Sequence, residues 1–288
     1  MCLLLYNRHG GINMSSYIIQ NEKVLVEVDE HASEIHSFKD LETGIEYMWN
    51  GNPAYWSGRN PTLFPMVGST YDKLLHIKGK TYATGNHGFA RHSDFTCVKH
   101  DDHEIVMELK DSEETLKQYP YHFTMDIHYV LQDRTLTITY DITNENEEGM
   151  PFHFGLHPAF NVPMDQTKKY EDYQLVFDTP QNFLWKKTVM KDETVLKLNP
   201  DVLADTIIIH HPHGTKVSLT DGTHGVTVDY SAFEWLAFWS PHAPFVCIEP
   251  WLSHADYGRV DTSYDKRDGT HFIEEHDTFH VSYSVTVK

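Results

Sequence analysis

The dominant rhythm along this 288-residue chain is strand-like, with apolar and polar positions alternating in a series of short runs. The runs at 23–28 (KVLVEV), 105–109 (IVMEL), 123–131, 136–142, 216–219, 226–230 and 279–287 are rich in Val, Ile, Thr, Tyr and Phe. A period of two sends every second side chain to one face, which is the pattern of a strand covered on one side. Turn-forming clusters separate the runs at 144–149, Asp221-Gly222 and Asp268-Gly269. Only 111–119 (DSEETLKQY) has a helical pattern, with Asp111 or Ser112 as cap and Pro120 as stop. Strands do not alternate with helices, which argues against a parallel doubly wound sheet. No repeat and no Pro/Ser linker divides the chain. The reading is all-β: one large antiparallel β-sandwich domain over 14–288. Residues 51–88 are poor in strand signals and rich in Gly, Pro and Asn, which predicts a long loop of the kind that carries function. Residues 1–13, ahead of Met14, read as a disordered or an added N-terminus.

Charge narrows the choice of partners. Lys and Arg number 23 against 42 Asp and Glu, a formal charge of −19. Such a chain repels phosphate backbones and anionic lipid, so neither nucleic acid nor a membrane surface is expected as a partner. No apolar run approaches the ~18 residues of a membrane span, and the opening MCLLLYNRHGG lacks a signal-peptide pattern. Three cysteines, Cys2, Cys97 and Cys247, make no disulfide framework and suit a reducing cytoplasm. A monomer and a homodimer both remain open.

The 21 histidines call first for a test of metal binding. There is no HExxH and no CxxC. His210-His211-Pro212-His213 is a cluster at a strand end, and His153 and His157 are spaced to share a face. A structural metal is a minority reading, and no metal is expected. Five segments carry polar residues in apolar surroundings: His157 in FHFGLHPAFN, Glu249 in FVCIEPW, Arg59 in SGRNPTLFPMVGS, His87 and Arg91 in NHGFARH, and Asp205 in LADTIII. Each alone has an ordinary structural explanation: a His satisfied by a carbonyl, a Glu paired to Arg, a tight turn, a strand-start cap. Together they outline a cleft for a polar neutral ligand. Trp56, Phe89, Trp239 and Trp251 lie beside them in sequence, and Trp239 is the substrate-facing candidate. Flat rings for C–H groups and charged partners for hydroxyls are what a sugar site needs.

Taken as a set and in this order, GRNPTLFP (58–65), HGFAR (87–91), YPYHFTMDIHYVL (119–131), GLHPAFN (155–161) and CIEPW (247–251) resemble the aldose 1-epimerase (galactose mutarotase) family. The similarity is greatest to its LacX-type branch and to the neighbouring hexose-6-phosphate 1-epimerases, and it covers nearly everything after Met14. The resemblance implies a β-supersandwich with sugar bound in an open cleft. It implies His157 as the acid on the ring oxygen and Glu249 as the base on the anomeric hydroxyl. His87 and Arg59 match substrate-binding positions, and Asp205 matches on a short strand start alone. Where the galactose mutarotases show His-Gly-Gly, this chain has His-Gly-Phe-Ala-Arg, which brings Arg91 into question as a selector of substrate.

The implied reaction needs no cofactor. One proton leaves the C1 hydroxyl, another reaches the ring oxygen, and the aldehyde rotates and closes on its other face. At reference values of ~4.3 for Glu and ~6.5 for His, the carboxylate accepts and the imidazole donates. A free aldohexose is the expected partner. A hexose 6-phosphate, or a silent sugar-binding role on the same fold, are the alternatives.

Overall fold

The computed structural model describes residues 15–186 and 188–288, so the expected disordered or added segment 1–13 lies outside the described residues. The alternating runs form strands where the period places them. Phe123–Gln132 buries every second residue and joins Thr135–Asn144 through Asp133 and Arg134, with Asp133 in the left-handed conformation that a two-residue hairpin demands. These two strands lie within a nine-stranded antiparallel sheet. Its order is Thr188–Lys197, Gln174–Trp185, Lys216–Thr220, Gly225–Asp229, Thr278–Val287, Thr135–Asn144, Phe123–Gln132, Glu104–Lys110 and Thr96–His100.

A second sheet runs Ile207–His210, Trp235–Trp239, Phe245–Trp251, Gly155–Leu156 and Thr62–Leu63, with Ala159–Asn161 also paired to Phe245–Trp251. The two sheets share one core. Phe177 from the first meets Phe238 from the second edge-on at 5.8 Å, and Tyr140 meets Phe154 at 4.9 Å. The large antiparallel sandwich is therefore as expected. A three-stranded sheet, Ser16–Gln20, Val24–Asp29 and Ile35–Asp40, precedes it.

Two local features differ from the sequence reading. The helix at 111–119 shortens to Glu113–Leu116; Ser112 caps it in a reciprocal pair with Thr115, and the chain then turns to bury Tyr119 against the Pro151 carbonyl. The hairpin of Gln174–Trp185 with Thr188–Lys197 escapes the period-two pattern because its register shifts between Val176 and Gln181. Residues 51–88 are mainly irregular, with short strands at Thr62–Leu63, Leu75–Ile77 and Lys80–Tyr82. From this stretch Trp56, Asn86 and His87 come to lie against the outer-face residues of the second sheet.

Candidate active site

The register of the second sheet decides which side chains reach its outer face. Trp235 pairs with Trp251, Ala237 with Glu249, and Trp239 with Cys247. Cross-strand partners share a face. Leu236, Phe238, Val246 and Ile248 turn to the common core, and the alternate set, Trp235, Trp239, Cys247, Glu249 and Trp251, turns away from it. That set is not left in water. All seven residues of Phe245–Trp251 are buried, because loops and the chain around His157 cover the outer face.

His157 follows the short strand Gly155–Leu156 and precedes Pro158, which fixes its approach. Its Nε2 lies 3.3 Å from Oε2 of Glu249, with both side chains nearly inaccessible to solvent. Trp56 lies over the imidazole at 4.8 Å, and His87 and Trp239 meet it edge-on at 5.8 and 5.7 Å. Gly155 makes room for this arrangement. It pairs with Trp251, and a Cβ there would come within 2.7 Å of the indole Cδ1. His157 Nδ1 and Glu249 Oε1 are buried without hydrogen-bond partners, so the pair has unused capacity.

His87 is held by a different device. His87 and Gly88 both adopt positive φ, and a Cβ on Gly88 would come within 2.1 Å of the Phe64 carbonyl oxygen, so the turn needs glycine there. The Gly68 N–H donates to His87 Nδ1 at 2.9 Å, and the His87 N–H donates back to the Gly68 carbonyl at 2.7 Å. With Nδ1 accepting, the neutral ring carries its proton on Nε2. Burial, and then the Arg91 charge, hold His87 down to about 3, so the ring stays neutral and serves as a donor.

These residues line a cavity of about 360 Å³, which also exposes Asn86, Arg91 and Thr206. That is the size of a small-molecule site. A larger surface cleft of about 460 Å³ runs beside Tyr71–Lys80 and Arg259–Ser263. Four of its polar groups pair with one another, Asp72 with His76 and Arg259 with Asp261. The sequence-predicted residues Glu249, His157, His87, Arg91 and Trp239 line the smaller cavity instead.

Electrostatics in the cavity differ from the reference-value reading. Burial pushes the Glu249 carboxyl well above the usual carboxylate range, with the Trp251 indole acting in the opposite direction. Burial, with the Arg91 charge acting in the same direction, holds His157 well below the usual imidazole range. Each group favours its neutral form. The pair is best described as holding one proton between two close acceptors rather than as a solvated carboxylate beside an imidazolium.

The structure brings Glu249, His157, His87, Arg91 and Trp239 to one cavity and places Arg59 and Asp205 outside its lining. The Arg59 guanidinium donates to His36 Nε2 at 3.0 Å, and its backbone N–H donates to Glu34. Asp205 is exposed and pairs with Lys186 at 2.9 Å, while the neighbouring Thr206 faces the cavity. Phe89 is core, stacked on Phe123. The spacing of His153 and His157 does not bring them together: His153 bonds Thr270 Oγ1 at 3.0 Å. His210 stacks between Trp235 and His211. Asn86 and Thr206 were missed. Asn86 opens the NHGFARH motif, and strand parity could have found Thr206, which shares its face with Ile208 rather than with the buried Ile207 and Ile209.

Residues 15–270 match the family model described as aldose 1-epimerase. The chain belongs to the aldose 1-epimerase family. It is 30% identical over 258 residues to the chromosomal LacX protein of Lactococcus lactis subsp. lactis, covering 81% of this chain and 86% of that one. Among solved structures, a galactose mutarotase related enzyme from Lactobacillus acidophilus is 32% identical with a TM-score of 0.88, over 95% of this chain and 97% of that one. A galactose mutarotase-like protein from Lactobacillus casei is 28% identical with a TM-score of 0.85, covering 95% and 100% respectively. The family supports an isomerase acting on a sugar. Among the described residues no helix is long and apolar enough to cross a membrane.

Proposed function

We propose that this family member interconverts the α and β anomers of a free aldohexose by acid–base ring opening, with Glu249 as base and His157 as acid. The observation that carries this reading is the 3.3 Å contact between His157 and Glu249 at the wall of an aromatic cavity. Proton counting shows why their environment suits the reaction. The pair holds one proton throughout. In the charged arrangement, imidazolium beside carboxylate, His157 gives its proton to the ring oxygen while Glu249 takes one from the C1 hydroxyl. The C1–O5 bond breaks, and the pair is left as carboxylic acid beside neutral imidazole. Rotation about C1–C2 and closure reverse both transfers.

Burial favours the neutral arrangement, which is the one that coexists with the open aldehyde. The proton transfers that open the ring thus run toward the arrangement that burial favours. Each general acid–base transfer contributes typically ~10²–10⁴ in rate. The aromatic walls formed by Trp56 and Trp239 suit the C–H faces of a pyranose. The His87 Nε2–H and the Arg91 guanidinium are donors for hydroxyls.

The preference for a free sugar rests on Arg59. Two converging guanidinium groups would favour a phosphate, but Arg59 is engaged with His36 and only Arg91 reaches the cavity. Polarimetry on pure anomers, with kcat/KM for glucose and galactose against glucose 6-phosphate at low and high salt, tests the whole reading. The expected result is faster equilibration of a free hexose. Rates equal to buffer across the panel would leave a sugar-binding protein. A phosphate preference that weakens with salt and is lost in Arg91→Ala would replace the free-sugar assignment.

A further inference from the structure

Behind the cavity lining, packed with Trp49, Ala159, Ala243 and Phe245, lies one reactive group that the proton chemistry does not use. Cys247 precedes Glu249 by two residues on the same strand, so both side chains leave the same face. Its Sγ, a nitrogen of His157 and a carboxylate oxygen of Glu249 all lie within 4.8 Å of one another, and all three residues are buried. His157 Nδ1 and Glu249 Oε1 are without hydrogen-bond partners. The site thus offers one imidazole, one thiol and one carboxyl, beside an open cavity.

We propose that His157, Cys247 and Glu249 form a site for a borderline-soft divalent cation of the zinc type, and that its occupation reversibly blocks the acid–base pair. The proposal rests on the function assigned above for its consequence, but not for the binding itself.

Three observations support it. First, distance: zinc bonds of about 2.0–2.3 Å imply edges of about 3.3–3.8 Å between tetrahedral donors. The His157–Glu249 edge of 3.3 Å already fits, and the remaining edges, within 4.8 Å, need only a modest contraction. Second, charge: binding displaces the thiol proton and the proton shared by His157 and Glu249. Two negative donors then balance a divalent ion, so no net charge is buried. This matters because the Arg91 guanidinium on the same cavity opposes any uncompensated cation. Third, donor type: a thiolate with an imidazole selects zinc-like ions over Mg²⁺ and Ca²⁺, which take all-oxygen sites. The three donors leave a fourth position toward the cavity, where water would bind.

The consequence follows from the proton count. A cation between His157 and Glu249 occupies both the lone pair that must receive the C1 proton and the nitrogen that must supply one. Exchange stops until the ion leaves, and sugar and ion compete for one space.

Cobalt(II) provides the direct test, because cobalt–thiolate bonding gives a charge-transfer band in the near ultraviolet whether or not the protein is an active epimerase. Titration of chelator-treated protein is expected to give this band, saturating at one ion per chain. Cys247→Ala and Cys247→Ser are expected to lack it, with Cys247→Ser preserving the shape of the site should the alanine variant fold poorly. Zn²⁺ is expected to slow anomer exchange in the native chain competitively with sugar, with relief by chelator and no effect of Mg²⁺. The ratio of zinc-free to zinc-treated rate should fall by about an order of magnitude or more in either cysteine variant. No cobalt–thiolate band in the native chain would overturn the proposal. So would equal zinc inhibition in native and Cys247 proteins. A band with no epimerase activity on any anomer would instead leave the metal site standing and remove the proposed function.

Discussion

At the scale of single residues, the site depends on what surrounds two common side chains. A Glu and a His in water would each hold a charge near their reference values, and neither would need the other. Here the outer-face loops remove water from both, and the pair shares its proton. Glu249→Gln is isosteric and His157→Asn keeps a planar polar group at the same branch point, so the fold should survive. Each is expected to lower the rate of anomer exchange by ~10²–10⁴ with an unchanged circular dichroism spectrum. The double variant should lose little beyond either single one, because acid and base act in one step. Turnover at the native level in Glu249→Gln would exclude it as the base. Both residues were legible because their neighbours are unusual: Pro158 after the imidazole, and Pro250 and Trp251 after the carboxylate. Their charge state was not legible, since it is set by loops distant in sequence. Arg59 illustrates the same limit. Its partner His36 is 23 residues away and reaches it only through the folding of the first sheet.

At the scale of elements, strand register determines which of these residues meet. The period-two runs revealed the strands with regular pairing, and the bulged hairpin at 174–197 stayed hidden because its shift breaks the period. Register between strands cannot be read from one strand alone. Hence the sequence pointed to Asp205, whereas it is the next residue, Thr206, that lines the cavity. The pairing of Gly155 with Trp251 is the register on which the cavity wall depends. Since an added methyl would lie 2.7 Å from the indole and 3.0 Å from Val67, Gly155→Ala must displace Trp251 or the strand. Overpacking of this kind costs about 1–3 kcal/mol. The expected outcome is a lowered melting temperature, together with a loss of kcat/KM of up to ~10²-fold from the misplaced wall. A variant with native melting temperature and native kcat/KM would show that Trp251 has room to move and does not fix the cavity.

At the scale of the whole molecule, the first sheet must stay in place, because it supplies Glu34 and His36 to the loop that carries Arg59. It is clasped by the turn between Phe123–Gln132 and Thr135–Asn144. Lys23 pairs with Asp133 there, the Asn21 side chain donates to the Asp133 carbonyl, and Arg134 pairs with Asp40 at the end of Ile35–Asp40. Nothing in the sequence marks this clasp, since all its residues are ordinary turn and strand-end polar groups. Burial alone would raise Asp40, but the Arg134 guanidinium and the Thr43 N–H outweigh it and hold the carboxyl at about 2, below its ordinary 3.8. A carboxyl depressed in the folded state adds stability above its unfolded value and loses it as pH falls toward the folded one. The contribution, on the order of 2 kcal/mol, should therefore be complete at neutral pH and disappear between about 4 and about 2. Arg134→Gln leaves Asp40 buried without its charge partner, so it should destabilise the protein most near neutral pH. The difference from the native chain should shrink across that acid window. Urea unfolding at a series of pH values measures it. A stability difference that stays constant from neutral pH to pH about 2 would mean that the clasp acts through packing and not through the Asp40 charge.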